Sequence, residues 1–228
     1  MGGALVSYHD LSVYDSYFIN NSADSICNYT YGGAIVTDNN TLIYNCSFIN
    51  NSVTDIEGKL AYSGIGGAFY SNSKHNATIN IFLCEFINNS ANATVKNTQK
   101  PSGGAIYYSG YDSINITSCE FIDNKAYNGG AIFFYQYGLS GTVIQNPSVF
   151  GCVFKNNTAT NYKNVGLTGM GSSLNIGANY YIDNSSPSDL YYLVNDKEST
   201  YTFNQKTNQI TIATLINSND YYLSLIHI

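Results

Sequence analysis

The 228-residue sequence contains no arginine, no tryptophan and only three prolines, and charged side chains make up 11% of it. An ordinary soluble domain has about 25% charged residues. All nine basic residues are lysines, and the formal net charge is −6. Nucleic acids and phosphate groups are bound through basic stripes and guanidinium forks. The composition therefore argues against a nucleic-acid partner and against binding to an anionic membrane.

Long apolar runs are also missing. No stretch of about 18 apolar residues occurs, so the sequence predicts no membrane-spanning helix. Met1 leads directly into a repeat motif, Gly2-Gly3-Ala4, and not into a secretory leader. Residues 223–228 resemble the in-frame translation of a sequencing-library adapter, which we interpret as a scar, with a short apolar strand as the alternative. We expect an internal piece of a longer protein, with signal and anchor lying elsewhere.

Neutral polar and β-forming residues dominate what is present. The chain has 31 Asn, 25 Ser and 17 Thr, together about a third of its residues, and it has 22 Tyr, 11 Phe and 23 Ile. Its 44% hydrophobic content is enough to build a core. Aromatic and β-branched residues favour strands, so the composition predicts an all-β fold.

Two short motifs alternate along the chain. Gly-Gly-Ala recurs five times, beginning at Gly2, Gly32, Gly66, Gly103 and Gly129. Phe-x-x-Asn also recurs five times, beginning at Phe18, Phe48, Phe86, Phe121 and Phe154. Successive Phe residues are 30, 38, 35 and 33 positions apart, so the period is loose and the insertions are expected in loops.

Each Phe carries a fixed register with it. Five positions before it stands an Ile or a Val, and two positions before it stand Cys46, Cys84, Cys119 and Cys152, with Ser16 in the first copy. Residues two positions apart lie on the same side of a strand, as the Cys and the Phe would, but the Ile or Val lies three positions before the Cys. This odd separation predicts two short strands joined at a corner. A weaker sixth copy places Leu174, Ile176, Asn179, Tyr181 and Asn184 at the corresponding offsets.

Short strands that recur at this period, with no helical stretch between them, predict a right-handed parallel β-helix, a solenoid of about six coils over residues 1–184. Coils stacked about 4.8 Å apart place Phe on Phe, Ile on Ile and Cys on Cys. The Asn three places after each Phe can then form a side-chain amide ladder. The Gly pair is expected to supply positive φ and to remove side chains where the coil bends tightly. A β-propeller is the competing fold, although its blades repeat every 40 to 50 residues or so.

The register stops after residue 184. Two strand-like runs, at 200–203 and 209–213, predict a hairpin within residues 185–222. This hairpin either closes the end of the solenoid or begins a further module.

The alternation of Gly-Gly-Ala-Ile with Phe-x-x-Asn resembles the repeats of chlamydial polymorphic outer membrane proteins and of adhesin-like surface proteins of methanogenic archaea. The match covers about residues 2–184. The resemblance implies a right-handed parallel β-helix that is secreted or displayed at the cell surface, with adhesion as its role. It implies no catalytic residues.

The β-helix is also the scaffold of pectin-degrading lyases and hydrolases, so a carbohydrate-processing enzyme is the alternative function. Hydrolysis needs two carboxylates at a fixed separation, but only Glu85 and Glu120 share a repeat position among the scattered acidic residues. These two are expected to stack outward, as a solvated face or a weak cation site. His9, His75 and His227 form no cluster. We assign no catalytic, cofactor-binding or metal-binding residue.

Four cysteines at one repeat position raise the question of a metal site or of disulfides. No Cys-x-x-Cys pair occurs, and stacked thiols have parallel Cβ vectors that do not face each other. We therefore predict that Cys46, Cys84, Cys119 and Cys152 are buried free thiols. Cys27 lies outside this ladder and is the thiol that a labelling reagent should reach first.

Eleven Asn-x-Ser/Thr sequons are present, at Asn20, Asn28, Asn39, Asn45, Asn50, Asn76, Asn88, Asn92, Asn115, Asn156 and Asn184. Four of them coincide with the Phe-x-x-Asn motif, and we attribute these four to the fold. Asn28, Asn76 and Asn92 lie in the variable segments and are the better glycosylation candidates.

Aromatic residues cluster at Tyr107, Tyr108 and Tyr111 and, one copy later, at Phe133, Phe134, Tyr135 and Tyr137. Some of them must face outward, because the repeat positions already fill the interior. Aromatic surfaces beside Asn, Ser and Thr bind neutral sugars and protein partners. The alternative is that these rings cap one another as ladders on the solvent side.

Together these features predict a non-enzymatic adhesin or stalk segment at the cell surface or in secreted form. Its expected partners are glycans or surface proteins of a host or neighbouring cell, and no cofactor is implied. A mechanical spacer without a ligand is a further alternative.

Overall fold

The computed structural model describes residues 2–25, 30–56, 64–73, 77–94, 100–110, 112–136, 147–169, 174–181 and 191–194. The regular secondary structure of this part of the chain consists of short β-strands in four sheets, and every strand pairs in parallel with its neighbours. The all-β prediction and the prediction of a parallel β-helix are therefore confirmed.

The chain visits sheets A, B, C and D in turn, and the strands are numbered in chain order. Sheet A contains β1 (Leu5–Ser7), β5 (Ile35–Thr37), β9 (Phe69–Ser73), β13 (Ile106–Gly110), β16 (Ile132–Gln136), β19 (Val165–Gly169) and β22 (Tyr191–Val194). Sheet B contains β2 (Leu11–Tyr14), β6 (Thr41–Tyr44), β10 (Thr78–Phe82), β14 (Ser113–Thr117), β17 (Ser148–Phe150) and β20 (Asn175–Gly177). Sheet C contains β3 (Tyr17–Ile19), β7 (Ser47–Ile49), β11 (Glu85–Ile87), β15 (Glu120–Ile122), β18 (Val153–Lys155) and β21 (Tyr180–Tyr181), and sheet D contains β4 (Ser22–Ser25), β8 (Ser52–Asp55) and β12 (Ser90–Ala93).

The strands pair in the register that the sequence predicts. In sheet C the column is Phe18, Phe48, Phe86, Phe121, Phe154 and Tyr181. In sheet B it is Val13, Ile43, Ile81, Ile116, Val149 and Ile176. The first five Phe rings stack face to face, with centroids 4.7 to 5.1 Å apart. Stacking like on like therefore builds one continuous core along the axis.

Two corners of the coil have a constant length. Two residues always separate a sheet B strand from the following sheet C strand, and two residues separate sheet C from sheet D in each coil that has a strand there. The first corner residue has a left-handed φ, 52° at Asn45 and 55° at Asn50, and the second points inward and is buried, as Cys46 and Asn51 do. The connections from D to A and from A to B differ in length, which confirms that the insertions lie there.

The Gly-Gly-Ala motif brings adjacent coils very close together. The first glycine has a left-handed φ, 70° at Gly103. The second glycine has no such φ; a Cβ on Gly104 would instead collide with the carbonyl oxygen of Gly130 in the next coil. The expected positive φ is therefore found at the first glycine only, and the expected removal of a side chain explains the second, where the adjacent backbones leave no room for a Cβ.

The last strand extends the ladder beyond residue 184. Tyr191–Val194 pairs in parallel with β19, with Leu193 opposite Leu167, so sheet A continues past the predicted boundary. The predicted hairpin runs, 200–203 and 209–213, and the scar at 223–228 lie outside the described residues.

Candidate functional site

The interior of the C to D corner is lined by a ladder of asparagine side chains. The Nδ2 of Asn21, Asn51, Asn89 and Asn124 each donates to the Oδ1 of the next rung, at 2.9 to 3.0 Å, and Asn157 completes the series. The same Oδ1 accepts a backbone N–H, as that of Asn124 does from Asn89, while Asn124 Nδ2 also donates to the Phe86 carbonyl at 2.8 Å. The predicted amide ladder is confirmed, and it gives these buried polar atoms hydrogen-bond partners.

The interior of the B to C corner is lined by cysteines. Cys46, Cys84, Cys119 and Cys152 are buried free thiols, as predicted. Burial raises the pKa of Cys46 and of Cys119, and a hydrogen bond with the Cys119 thiol together with burial raises the pKa of Cys84. Only the thiolate form of a cysteine acts as a nucleophile or metal ligand. Because a raised pKa keeps these three groups in the thiol form, they act as core residues. Cys27 lies outside the described residues.

Within the part of the chain that the structure describes, the acidic and histidine residues do not converge on one site. Glu85 and Glu120 lie directly opposite each other on sheet C and are both exposed, as predicted, and Ser47 Oγ donates to Glu85 Oε2 at 3.1 Å. Within the described ranges no group of three or more His, Cys, Asp or Glu residues is arranged to hold a metal ion. His9 is exposed, and His75 and His227 fall in segments that the structure does not describe.

The aromatic cluster expected to face solvent is largely covered. Tyr108 and Phe134 point into the core and are fully buried. Tyr107 and Phe133 point outward but are only 4% and 5% exposed, because their rings stack on each other with centroids 5.7 Å apart and Tyr107 also stacks on Tyr70 at 5.8 Å. The expectation that some of these rings face outward is therefore confirmed for Tyr107 and Phe133, and the capped-ladder alternative explains why these two are covered.

The neighbouring members of that cluster add little exposed surface. Tyr135 is half-buried, and Tyr111 and Tyr137 are not among the described residues. On the other side of Tyr70 the stack continues to Tyr31, with ring centroids 4.4 Å apart. Together with Val36 and Ile65 these rings form a second apolar cluster outside the coil.

Exposed tyrosines lie instead on sheets B and C of the first two coils. Tyr14, Tyr17 and Tyr44 are 51%, 75% and 40% exposed. Tyr14 and Tyr44 are direct neighbours across β2 and β6, with ring centroids 6.4 Å apart and planes tilted by 51°. Tyr17 follows on the sheet C side of the corner. We call these three residues the tyrosine face.

Hydrogen-bonding groups flank the tyrosine face. At the corner, Asn45 Nδ2 donates to Asp15 Oδ1 at 2.6 Å. Further along sheet B, the outward amides of Asn80 and Asn115 bond to each other at 3.0 Å. Asp15 is the one ionisable residue among these four, and its carboxylate disfavours an anionic ligand at this corner by charge repulsion.

The register of the repeat already contained the signal for this face. Tyr14 and Tyr44 stand four positions before Phe18 and Phe48, next to the inward residue of the same strand, and alternate residues of a strand point to opposite sides. The sequence alone did not reveal that Tyr107 and Phe133, which also point outward, are covered by residues from neighbouring segments.

Comparison with known proteins identifies the repeat. The family model of the Chlamydia polymorphic membrane protein repeat matches residues 15–38, 83–109 and 118–135. These segments contain Gly-Gly-Ala or Phe-x-x-Asn motifs, so the predicted resemblance is confirmed. Proteins of that family are surface proteins of Chlamydia, and the family is not known for enzymes. No curated protein and no solved structure matches the chain.

The described part of the chain contains no helix of the length and hydropathy needed to cross a membrane.

Proposed function

Because the chain carries polymorphic membrane protein repeats, we propose that it is a non-enzymatic segment of a cell-surface adhesin that binds neutral glycans through the tyrosine face. The observation that carries this proposal is the grouping of three exposed rings, Tyr14, Tyr17 and Tyr44, whereas the other described aromatic side chains, apart from Tyr8, are buried or half-buried. Single exposed apolar residues are normal on a protein surface, but a contiguous exposed patch marks an interaction site. Sugars present apolar C–H faces to such rings and hydroxyl groups to the amides beside them.

The geometry of the face suits an extended ligand. Tyr14 and Tyr44 come from successive coils, about 4.8 Å apart along the axis, and the Asn80–Asn115 amide pair lies further along the same sheet. A linear glycan that follows the axis meets rings first and amides next. The Asp15 carboxylate at the corner disfavours acidic sugars by charge repulsion.

A carbohydrate-processing enzyme is less well supported. Glycoside hydrolysis needs one carboxyl group kept protonated by an apolar site and a second one that is ionised. Glu85 and Glu120 are both exposed, so neither lies in an apolar site of that kind. Adhesion requires neither group.

Binding can be tested on an array that carries neutral and acidic glycans. We expect the chain to bind neutral glycans and the variant Tyr14→Ser/Tyr17→Ser/Tyr44→Ser to lose at least tenfold in apparent affinity. Tyr8→Ser is the matched control, because Tyr8 is 65% exposed but lies outside the tyrosine face. Circular dichroism checks that both variants keep the fold.

Three outcomes would contradict the proposal. Product release from a polysaccharide, abolished by Glu85→Gln, would make the chain an enzyme. Binding to proteins without binding to glycans would assign the face to another class of partner. No binding, or equal binding by the triple variant, would leave the chain a mechanical spacer.

A further inference from the structure

The C to D corners expose an asparagine in nearly every coil. The left-handed corner residues are Asn20, Asn50, Asn88, Asp123 and Asn156, with φ between 52° and 57°, and all five are exposed. The next residue is the inward rung of the amide ladder, and the residue after that begins the sheet D side of the coil. In four coils this arrangement forms a sequon whose first Asn lies on the surface.

The backbone conformation does not account for the asparagines at this corner. The B to C corner has the same left-handed φ, and it is filled by Asp15, Asn45, Leu83, Ser118, Gly151 and Ala178. A left-handed corner of this solenoid therefore accepts many residue types, although Asn and Gly are favoured there in general. Where Asp123 replaces the Asn, Lys125 also replaces the hydroxyl residue, so the two sequon positions change together.

A hydrogen bond donated by the acceptor nitrogen has to break before that nitrogen can react, which costs free energy. The acceptor nitrogens of four sequons donate such a bond: Asn45 Nδ2 to Asp15 at 2.6 Å, Asn88 to Asn50 at 2.8 Å, Asn92 to Ser90 at 3.0 Å and Asn115 to Asn80 at 3.0 Å. These four are therefore less favourable acceptors than a sequon whose nitrogen makes no such bond. Asn28, Asn76 and Asn184 fall outside the described residues.

The sequon hydroxyl must also be accessible to a modifying enzyme. Asn39 fails this condition because Thr41 is buried, bonded to Thr37 Oγ1 and to the Asn39 carbonyl. The Asn50 sequon does not meet it fully either, because Ser52 is half-buried.

Two sequons satisfy both conditions. Asn20 and Asn156 are exposed, their Nδ2 atoms have no hydrogen bond among the described residues, and Ser22 and Thr158 are exposed as well. We propose that Asn20 and Asn156 are N-glycosylation sites, and that the C to D corners form the glycosylated edge of the solenoid. They lie four coils apart, about 19 Å along the axis, which leaves room for two glycans. Acceptors in adjacent coils, about 4.8 Å apart, would crowd each other.

The reaction requires a lipid-diphosphate-linked oligosaccharide and a transferase. Asparagine Nδ2 forms a bond to the anomeric carbon of the first sugar, and the bond from that carbon to the diphosphate oxygen breaks. The lipid diphosphate leaves with the electron pair, and Nδ2 loses one proton to a base of the transferase. No oxidation or reduction takes place.

The proposal is tested by incubating the folded full chain with a purified oligosaccharyltransferase that accepts Asn-x-Ser/Thr and with a lipid-linked heptasaccharide. Enzymatic deglycosylation in heavy-oxygen water followed by peptide mass spectrometry maps the modified sites. We expect Asn20 and Asn156 to hold most of the added glycan and Asn20→Gln/Asn156→Gln to reduce total incorporation at least fivefold. Thr158→Val should abolish modification of Asn156, and Thr158→Ser should restore it.

Two controls make a negative result decisive. A synthetic sequon peptide in the same vessel shows that the transferase is active, and Asn45→Gln, in an exposed sequon with a committed nitrogen, should leave incorporation unchanged. In the urea-unfolded chain, Asn45 and Asn92 should become modified too. An unmodified folded chain beside a modified peptide, or the same site pattern in folded and unfolded chains, would overturn the proposal.

Discussion

Asn179 occupies the corner position in its coil that Cys152 occupies in the coil before, and its Oδ1 accepts the backbone N–H of Cys152 at 2.8 Å. Its Nδ2 donates to the Val149 carbonyl at 3.0 Å. This is the bonding pattern of the asparagine ladder at the other corner. In the cysteine ladder, Cys152 Sγ lies 3.8 Å from the Ile116 carbonyl, which is the equivalent acceptor. The two corners are therefore built on one plan, with the thiol as the weaker donor.

Cys152→Asn should accordingly be tolerated. The new Nδ2 can donate to the Ile116 carbonyl and to Asn179 Oδ1, which extends by one coil the bonding pattern that Asn179 already shows. We expect the free energy of unfolding to change by less than about 1 kcal/mol, whereas Cys152→Leu, which adds bulk without these bonds, should cost about 1 to 3 kcal/mol. Urea denaturation of the two variants makes the comparison. Equal losses would show that the corners are not equivalent.

Asn124→Ala should be strongly destabilising. It removes the acceptor of the Asn89 backbone N–H and of Asn89 Nδ2, both bonded at 3.0 Å. Each buried donor left without a partner costs about 1 to 3 kcal/mol, so we expect a loss of about 2 to 6 kcal/mol in chemical denaturation. The adjacent exposed residue supplies the control, since Asp123→Asn keeps a residue that tolerates the left-handed φ and should change stability by less than about 0.5 kcal/mol.

Leu83 occupies a strained position. It has a φ of 53° and is 49% exposed, and a left-handed backbone costs a residue with a side chain about 1 to 2 kcal/mol. Leu83→Gly should therefore raise the free energy of unfolding by about 1 kcal/mol. Leu42→Gly, in the middle of β6, should lower it by a similar amount because glycine weakens strands. A melting temperature that falls in both variants would contradict the backbone strain that we assign to the left-handed φ of Leu83.

The buried thiols predict a loss of stability at alkaline pH. The pKa values of Cys84 and Cys119 are raised in the folded state, so their contribution is intact below the unfolded thiol pKa of about 8.5. Above that pH only the unfolded chain releases these protons, and stability falls by about 1.4 kcal/mol per pH unit for each thiol. When the free energy of unfolding is measured by denaturation between pH 8.5 and 10, it should fall less steeply with pH for Cys84→Ala/Cys119→Ala than for the unsubstituted chain. Identical slopes would argue against buried thiols.

Alkylation of the native protein offers a second check on the cysteine ladder. Iodoacetamide reacts with accessible thiolates, so Cys46, Cys84, Cys119 and Cys152 should be modified only after unfolding, and Cys27 should react first. Peptide mass spectrometry after native and denaturing labelling gives the five rates. Modification of all five at one rate would contradict the ladder.

The repeat positions could be predicted because one physical rule applies to each of them. In a stacked solenoid every inward residue meets its own counterpart, so a column of Phe, Ile, Cys or Asn in the sequence becomes a column in space. The Phe stack, the thiols and the amide ladder follow directly from that rule. Low charge follows as well, because a repeated charge would stack on its like.

Outward-facing residues could not be predicted in the same way. The period-two pattern of a strand places Tyr107 and Tyr14 on the outside alike, yet Tyr107 is 4% exposed and Tyr14 is 51% exposed. The difference arises from how the outer side of each sheet is covered. Tyr107 is stacked between Tyr70 and Phe133, its counterparts in the adjacent coils, and the spacing of the motifs does not show how completely such neighbours cover a ring. The sequons posed the same problem, since hydrogen bonds and the burial of the sequon hydroxyl distinguish Asn156 from Asn45.

By itself, then, the sequence determined the solenoid, its register and the contents of its core, because in-register stacking makes the interior a local repetition that spacing encodes. The tertiary structure alone decided which tyrosines remain exposed, which asparagine nitrogens are free and which glycine of each pair has which role. These properties depend on how closely equivalent backbones and outward side chains of neighbouring coils approach one another and on the connections of variable length that pack over them, and the spacing of the motifs does not encode those distances.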